Sequence, residues 1–257
     1  MKENIDNKFM EIIKGLSRKY SEWEVWSDFV SISAIAIANS CDLYQFSKRE
    51  EEYFQIIRKY TPDEQQNLSD LLALVVMGLE KNQEQDFLGV VYMQLNISQK
   101  SKAQYFTPYP ICKMMSSLII GGRQSSDHAP QIINDPTCGS GANLIATANE
   151  MRANHIDYQR NAYFVAQDID LIAAKMCYIQ LSLLGCPGVV IVGNSLLGMK
   201  DDMERWYTPF HFLYGKDILA AYKEKCKDNS EELNANEDEN DVIDDNNEWL
   251  LKMVGFV

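Results

Sequence analysis

Apolar residues early in the chain recur at helical spacing. Ile5, Phe9, Ile12, Ile13 and Leu16 form one such stripe, and Val25, Phe29, Ile32 and Ala36 a second. Thr61-Pro62-Asp63-Glu64 has the chemistry of a helix start: threonine can cap, proline fits the first turn, and Glu64 can reach back to complete a capping box. The helix it opens would turn Leu68, Leu71, Leu72, Val75, Val76 and Leu79 toward a core. Another start falls at Pro110, with Ile111, Met114, Met115 and Leu118 expected inside and Gly121-Gly122 as the stop.

The texture changes near residue 130. A short apolar run, Gln131-Ile132-Ile133, ends in Asn134-Asp135 and a glycine-bearing turn, and a helical stretch from Ala142 to about Asn154 follows. Ala162-Tyr163-Phe164-Val165-Ala166 is rich in strand formers and ends at Gln167-Asp168. Leu171 to Leu184 is helical again, with Ile172, Met176, Ile179 and Leu183 on one side, and Val189-Val190-Ile191-Val192 is a third strand ending at Gly193-Asn194-Ser195. Alternating strands and helices imply right-handed crossovers and a parallel sheet, half of a doubly wound α/β fold. Trp206 to Leu213 has room for one more strand, which Pro209 would shorten or confine to an edge. The expected organisation is a helical region over 1–100, a Rossmann-like domain with a partial parallel sheet over 101–227, and an acidic, flexible tail over 228–257 in which Trp249-Leu250-Leu251 and Val254 to Val257 could return to the body.

Composition narrows the setting. The longest apolar run, Leu71 to Leu79, is too short to span a membrane, and Met1-Lys2-Glu3-Asn4 does not open a secretory signal. The six cysteines are scattered without a CxxC pair, so reduced thiols in a cytoplasm are expected, with no zinc site and no bound metal. The net charge is −13; ten of the 37 acidic residues and one of the 24 basic ones fall after Lys227, leaving residues 1–227 at about −4. Neither part offers the basic surface of a protein that grips DNA unaided.

Chemistry concentrates at the strand tips, where open parallel sheets bind ligands. In Asp135-Pro136-Thr137-Cys138-Gly139-Ser140-Gly141 the two glycines let the backbone approach a ligand. Asp168, at the second tip, can accept both hydroxyls of a ribose, and Asn194-Ser195, at the third, can meet the edge of an adenine. Together they outline a nucleoside pocket. The turn is not GxGxxG, and Asp135 at its head would repel a pyrophosphate but attract the ammonium group of S-adenosylmethionine.

These segments bear a family resemblance. Asp135 to Gly141 resembles the first motif of N6-adenine DNA methyltransferases, most of all the modification subunits of type I restriction systems. Gln104-Tyr105-Phe106-Thr107-Pro108 is similar to the family's upstream motif, which closes over the methionine end of the cofactor, and Asp86-Phe87-Leu88-Gly89 with Tyr92 to the helix preceding it. Gln167-Asp168-Ile169-Asp170 resembles the ribose-binding segment, and Gly193-Asn194-Ser195-Leu196 the adenine-contacting one. The resemblance spans about residues 86–196. It implies a Rossmann-like S-adenosylmethionine-dependent methyltransferase fold and cofactor contacts from Tyr105, Phe106, Thr107, Asp135, Pro136, Thr137, Cys138, Gly139, Ser140, Gly141, Asn143, Asp168, Ile169, Asn194, Ser195 and Leu196. It also implies DNA as substrate, reached through a specificity subunit or another partner, with a protein partner or a second copy as possible company.

The family further implies an Asn/Asp-Pro-Pro-aromatic motif at the tip of a fourth strand, where it holds the target amino group in line with the methyl donor. No Pro-Pro pair occurs in this sequence, and no catalytic residue is assigned. The nearest candidate, Tyr207-Thr208-Pro209-Phe210, keeps the second proline and the aromatic, but Asp201 to Glu204 are too charged for a buried central strand, so it reads equally well as chance similarity. The 116 residues after Gly141 leave little room for the rest of a methyltransferase sheet, a target-recognition domain or long docking helices, which would make this a truncated or degenerate member. Three readings stand: a DNA methyltransferase subunit active with partners, a catalytically silent cofactor-binding module, and a dinucleotide-dependent oxidoreductase, which explains the strands but not the turn.

Overall fold

The computed structural model describes residues 5–95, 105–121, 130–198 and 203–234, with side chains as far as Lys227. Five helices come first: α1 (Ile5–Leu16), α2 (Glu22–Asn39), α3 (Phe46–Ile57), α4 (Pro62–Lys81) and α5 (Phe87–Gln94). The capping box of α4 forms as expected, with the Thr61 side chain accepting from the Glu64 amide and the Glu64 carboxylate accepting from the Thr61 amide. Then follow α6 (Tyr109–Ile120), β1 (Gln131–Asp135), α7 (Ala142–Ala153), the short α8 (Tyr158–Asn161), β2 (Ala162–Asp168), α9 (Leu171–Leu183), β3 (Gly188–Val192), β4 (Glu204–Tyr207) and α10 (Lys216–Asn234).

The strands form one sheet in the order β1-β2-β3-β4. The first three are parallel, joined by α7 and α9 as the alternating pattern requires, and Asp135 sits level with Ala166 and Asp168 with Val192. Strand β2 lies between β1 and β3 and is buried through Gln167, hence its nearly unbroken apolar run. Strand β4 departs from the expected all-parallel sheet: it pairs antiparallel with β3, Tyr207 opposite Val189 and Glu204 opposite Val192. The reason lies in the connection. Between Val192 and Glu204 the described residues hold only a single turn of 3₁₀ helix, too little for the helical crossover a parallel strand needs. The strand also begins earlier than Trp206 and gives way after Tyr207 to Thr208-Pro209 and a π-turn over His211–Gly215, so the expected run to Leu213 is not extended.

Helices cover both faces. On one, α7 and α9 lie over the strands and the N-terminal helices pack outside them, α2 against α9 and α5 against both α4 and α9. On the other, Ile218 and Leu219 of α10 meet Tyr163, Val165, Val189 and Ile191. The N-terminal helices also brace β4: the Arg49 guanidinium lies 4.5 Å from the Trp206 ring and pairs with Asp42 at 2.7 Å, while buried Lys175 of α9 reaches Glu52 of α3 at 3.0 Å. Helix α6 corrects one expectation. It packs on α7 through Cys112, Ser116 and Ile120, with Ser116 Oγ bonded to Thr147 Oγ1 at 3.1 Å, and leaves Ile111, Met114, Met115 and Leu118 exposed. Small residues let the two helices approach closely, so the seam follows them rather than the bulky stripe. Helix α10 reaches Asn234, into the start of the acidic stretch.

Candidate functional site

The turn after β1 is built around two left-handed glycines, Gly139 at φ 54° and Gly141 at φ 97°. A side chain at either is excluded by space as well as by backbone. A Cβ on Gly139 would stand 2.9 Å from the Phe106 ring, and one on Gly141 would stand 2.9 Å from Cys177 Sγ. The turn is pinned at both ends. Cys138 N donates to Gln167 O at 2.9 Å, Gly141 N to Cys138 O at 2.8 Å, and Thr137 N to the Asp135 carboxylate at 3.0 Å. The other Asp135 oxygen accepts from Asn143 Nδ2 at 3.3 Å, so this buried carboxylate shapes the turn from within.

Asp168 links the first two strand tips. One oxygen accepts from Gly139 N and the other from Asp170 N, each at 2.8 Å. A carboxylate offers about four lone-pair directions, so two backbone donors leave it capacity for a pair of hydroxyls. Its own carbonyl accepts from Gly193 N at 2.9 Å, tying the third tip to the second.

Tyr105, Phe106, Thr107, Thr137, Cys138, Gly139, Ser140, Ala142, Asn143 and Asp168 enclose a cavity of about 170 Å³ beyond the carboxyl ends of β1 and β2. Nine of these ten were expected from the sequence; Ala142 is the addition. Phe106 forms the floor of the overhanging segment, packed 5.3 Å from the Tyr92 ring, whereas Tyr105 is exposed. Among the described residues the buried Oδ1 atom of Asn143 has no hydrogen-bond partner, an acceptor left over in the cavity wall. The remaining expected residues stand outside this wall. Asp135 and Gly141 lie in the turn behind it, and Pro136 on the turn's exposed side. Ile169 and Leu196 are solvent-exposed, and Asn194 and Ser195 open the 3₁₀ turn after β3, where the Asn194 side chain accepts from Leu196 N at 3.0 Å. Gln104 lies outside the described residues.

Below the turn is a network that sequence reasoning did not find. The fully buried Asp86 carboxylate, at the cap of α5, accepts from Gly89 N at 2.9 Å, from Gln180 Nε2 at 2.8 Å and from the Ser140 hydroxyl. Gln180 also donates to Ser140 O at 2.9 Å and accepts from Leu88 N at 3.1 Å. Burial pushes the Asp86 carboxyl above its ordinary range, against the pull of those donors. An Asp before an apolar run is a readable helix cap, but nothing in the sequence distinguishes Gln180 from other polar residues on a buried helix.

Two thiols border the site. The hydrogen bond that the Cys138 thiol donates to Cys177, together with burial, pushes Cys138 well above its ordinary value, and burial raises Cys177 against the pull of that same bond. Both shifts favour the neutral thiol, the less nucleophilic form. Among the described residues no group of three or more His, Cys, Asp and Glu side chains could hold a metal ion.

The segment Tyr207-Thr208-Pro209-Phe210 lies at the wrong end of the sheet. Thr208 donates to Cys186 O at 2.7 Å and accepts from Gly188 N at 3.0 Å, both at the amino end of β3. The length of a five-residue strand, roughly 15 Å at 3.3 Å per residue, separates it from the level of the cavity.

A model of the N-6 DNA methylase family matches residues 83–216. That is just over half of the chain, from the approach to Asp86 to the start of α10. The chain belongs to the N-6 DNA methylase family. No curated protein matches it. The matched stretch contains the cavity, the Asp86 network and the entire sheet, and membership carries a DNA methyltransferase-like function with DNA as the substrate class. Among the described residues no helix is long and apolar enough to cross a membrane.

Proposed function

We propose that this chain is the S-adenosylmethionine-binding part of an N6-adenine DNA methyltransferase resembling the modification subunit of a type I system, acting with partners that recognise DNA and present the adenine. One observation carries the reading: the glycine turn, Asp168 and the segment Tyr105 to Thr107 enclose a single cavity at the carboxyl ends of β1 and β2. The residues suit the cofactor. Asp168 has acceptor capacity for two ribose hydroxyls, and the unpartnered Asn143 Oδ1 suits a cationic or N–H-bearing end. S-adenosylmethionine, when bound, supplies an electrophilic methyl group on a sulfonium.

The chain's own residues bind and orient. Gly139 and Gly141 bring backbone close to the ligand, Asp168 fixes the sugar, and Phe106 with Thr107 excludes water from one side. Asn194 and Ser195, one strand further along, would meet a ring reaching past Asp168.

A second reading has its own support. With Tyr207 to Phe210 at the far end of the sheet, that segment cannot hold a target amino group beside the cavity, which favours a cofactor-binding module that is silent by itself. Methyl transfer from labelled cofactor to adenine-containing DNA, with and without the polypeptides encoded beside this gene, separates the two. Incorporation with a partner supports the methyltransferase subunit. Cofactor binding without incorporation in any combination supports the silent module.

A further inference from the structure

An adenine inside a double helix hides its amino group in the stack. To reach a methyl donor the base must leave the helix, and it then loses the neighbours that covered its two faces. The Asn/Asp-Pro-Pro-aromatic motif supplies one replacement ring where it is present. Here the nearest such aromatic, Phe210, lies against Gly185 at the amino end of β3. A ring offered to the base at the cavity has to come from another segment.

Two aromatic side chains line the cavity, Phe106 and Tyr105. Phe106 is already engaged: its ring lies 5.3 Å from that of Tyr92, and a Cβ on Gly139 would stand 2.9 Å from it. Tyr105 is 71% exposed, and no hydrogen bond or ring contact holds its side chain among the described residues. A side chain that lines the cavity yet stays so exposed stands at its rim. An exposed aromatic alone would be unremarkable, but this one sits on an anchored backbone. The neighbouring Phe106 is wedged between Tyr92 and the glycine turn, Thr107 O accepts from Cys112 Sγ at 3.7 Å, and Pro108 O accepts from Ile111 N at 2.9 Å. A ring held in this way offers a stacking face at little ordering cost.

We propose that Tyr105 is a base-stacking residue: the outer face of its ring covers the extruded adenine and holds it over the mouth of the cavity. The resemblance assigns this side chain to the cofactor; its exposure assigns most of its surface to the DNA. Stacking reads the face of a base and not its edge, so Tyr105 contributes affinity and position without choosing adenine over other bases. The inference rests on the cofactor-binding reading for what lies beneath the base, and on family membership for the base itself.

The test titrates a trinucleotide with 2-aminopurine at its centre into the full chain and reads quenching of its fluorescence. The titration is run with and without saturating S-adenosylhomocysteine, which keeps the probe out of the cofactor site. So short a probe carries two phosphates, which limits its repulsion by a chain of net charge −13. Saturable quenching is expected with the parent. Tyr105→Ala should weaken it about tenfold, while Tyr105→Phe and Tyr105→Trp keep it within about twofold, because each retains a stacking face. Tyr105 is exposed, so the three variants keep the circular dichroism of the parent. No quenching with the parent, equal affinity in the parent and Tyr105→Ala, or a loss that neither Phe nor Trp restores would each overturn the proposal. Calorimetry with S-adenosylmethionine on the same four proteins reports the cofactor reading separately. Its affinity should be alike in all four, and absence of cofactor binding beside normal quenching would sink that reading alone.

Discussion

Replacing Asp86 with alanine removes the acceptor that joins the cap of α5 to the glycine turn, and the structure sets the size of the loss. Three donors end on this carboxylate: Gly89 N, Gln180 Nε2 and the Ser140 hydroxyl. Gln180 retains Ser140 O at 2.9 Å, and a hydroxyl can rotate, so one or two buried donors are truly stranded. At about 1–3 kcal/mol for each, the expected cost is about 2–4 kcal/mol, or roughly 6–12 °C in midpoint at the usual scaling for chains of this length. Asp86→Asn should behave differently. Its oxygen can accept from Gly89 N and Gln180, and its amide can donate to Ser140 Oγ, so stability at pH 7 stays within about 1 kcal/mol of the parent. The pH dependence adds a second arm. Burial raises the folded carboxyl above its unfolded value, so the contribution of this group is fully present below about pH 4 and is lost as pH rises through the folded value. Asp86→Asn flattens that part of the profile. Urea denaturation between pH 4 and 8 reads both. Equal losses in the two variants, or an alanine cost under about 1 kcal/mol, would refute the network as the support of the turn.

Other consequences are independent. Gly141→Ala, forced to φ 97° with its Cβ 2.9 Å from Cys177 Sγ, should cost about 2–4 kcal/mol in chemical denaturation and weaken ligand binding at the turn. Thr208→Val should cost about 1–3 kcal/mol by stranding Gly188 N, yet leave ligand binding unchanged by calorimetry, since it lies at the opposite end of the sheet. Burial lowers His211 to about 4, so stability should fall by about 2–3 kcal/mol as pH drops from about 6.5 toward that value. His211→Gln should remove this slope from the denaturation profile.

Much of the architecture was legible because two periodicities separate it. The helical stripes and the Thr61 cap placed α1, α2 and α4, though not α3, and the short strand-forming runs ending at Asp135, Asp168 and Val192 placed the parallel strands and the ligand end of the sheet. What escaped depends on choices made in three dimensions. Helix α6 has apolar residues on more than one side, and the seam was decided by Cys112 and Ser116, whose small size permits close approach but carries little signal in a sequence. The direction of β4 was set by the absence of a crossover helix after Val192 in the described residues, not by composition. Within the site, Gly139, Asp168 and Phe106 were readable from their motifs. Gln180 was not, because its role comes from facing Asp86, 94 positions earlier in the chain.

The central claim is that the cavity between the glycine turn, Asp168 and Phe106 takes S-adenosylmethionine. Calorimetric titration of the cofactor into the full chain, repeated with Asp168→Ala and Asp168→Asn, tests it most directly. Two hydrogen bonds to a charged acceptor at about 1.5–3 kcal/mol each predict a single saturable site whose affinity falls at least tenfold in both variants. No saturable binding to the parent, or equal affinity in all three proteins, would contradict it.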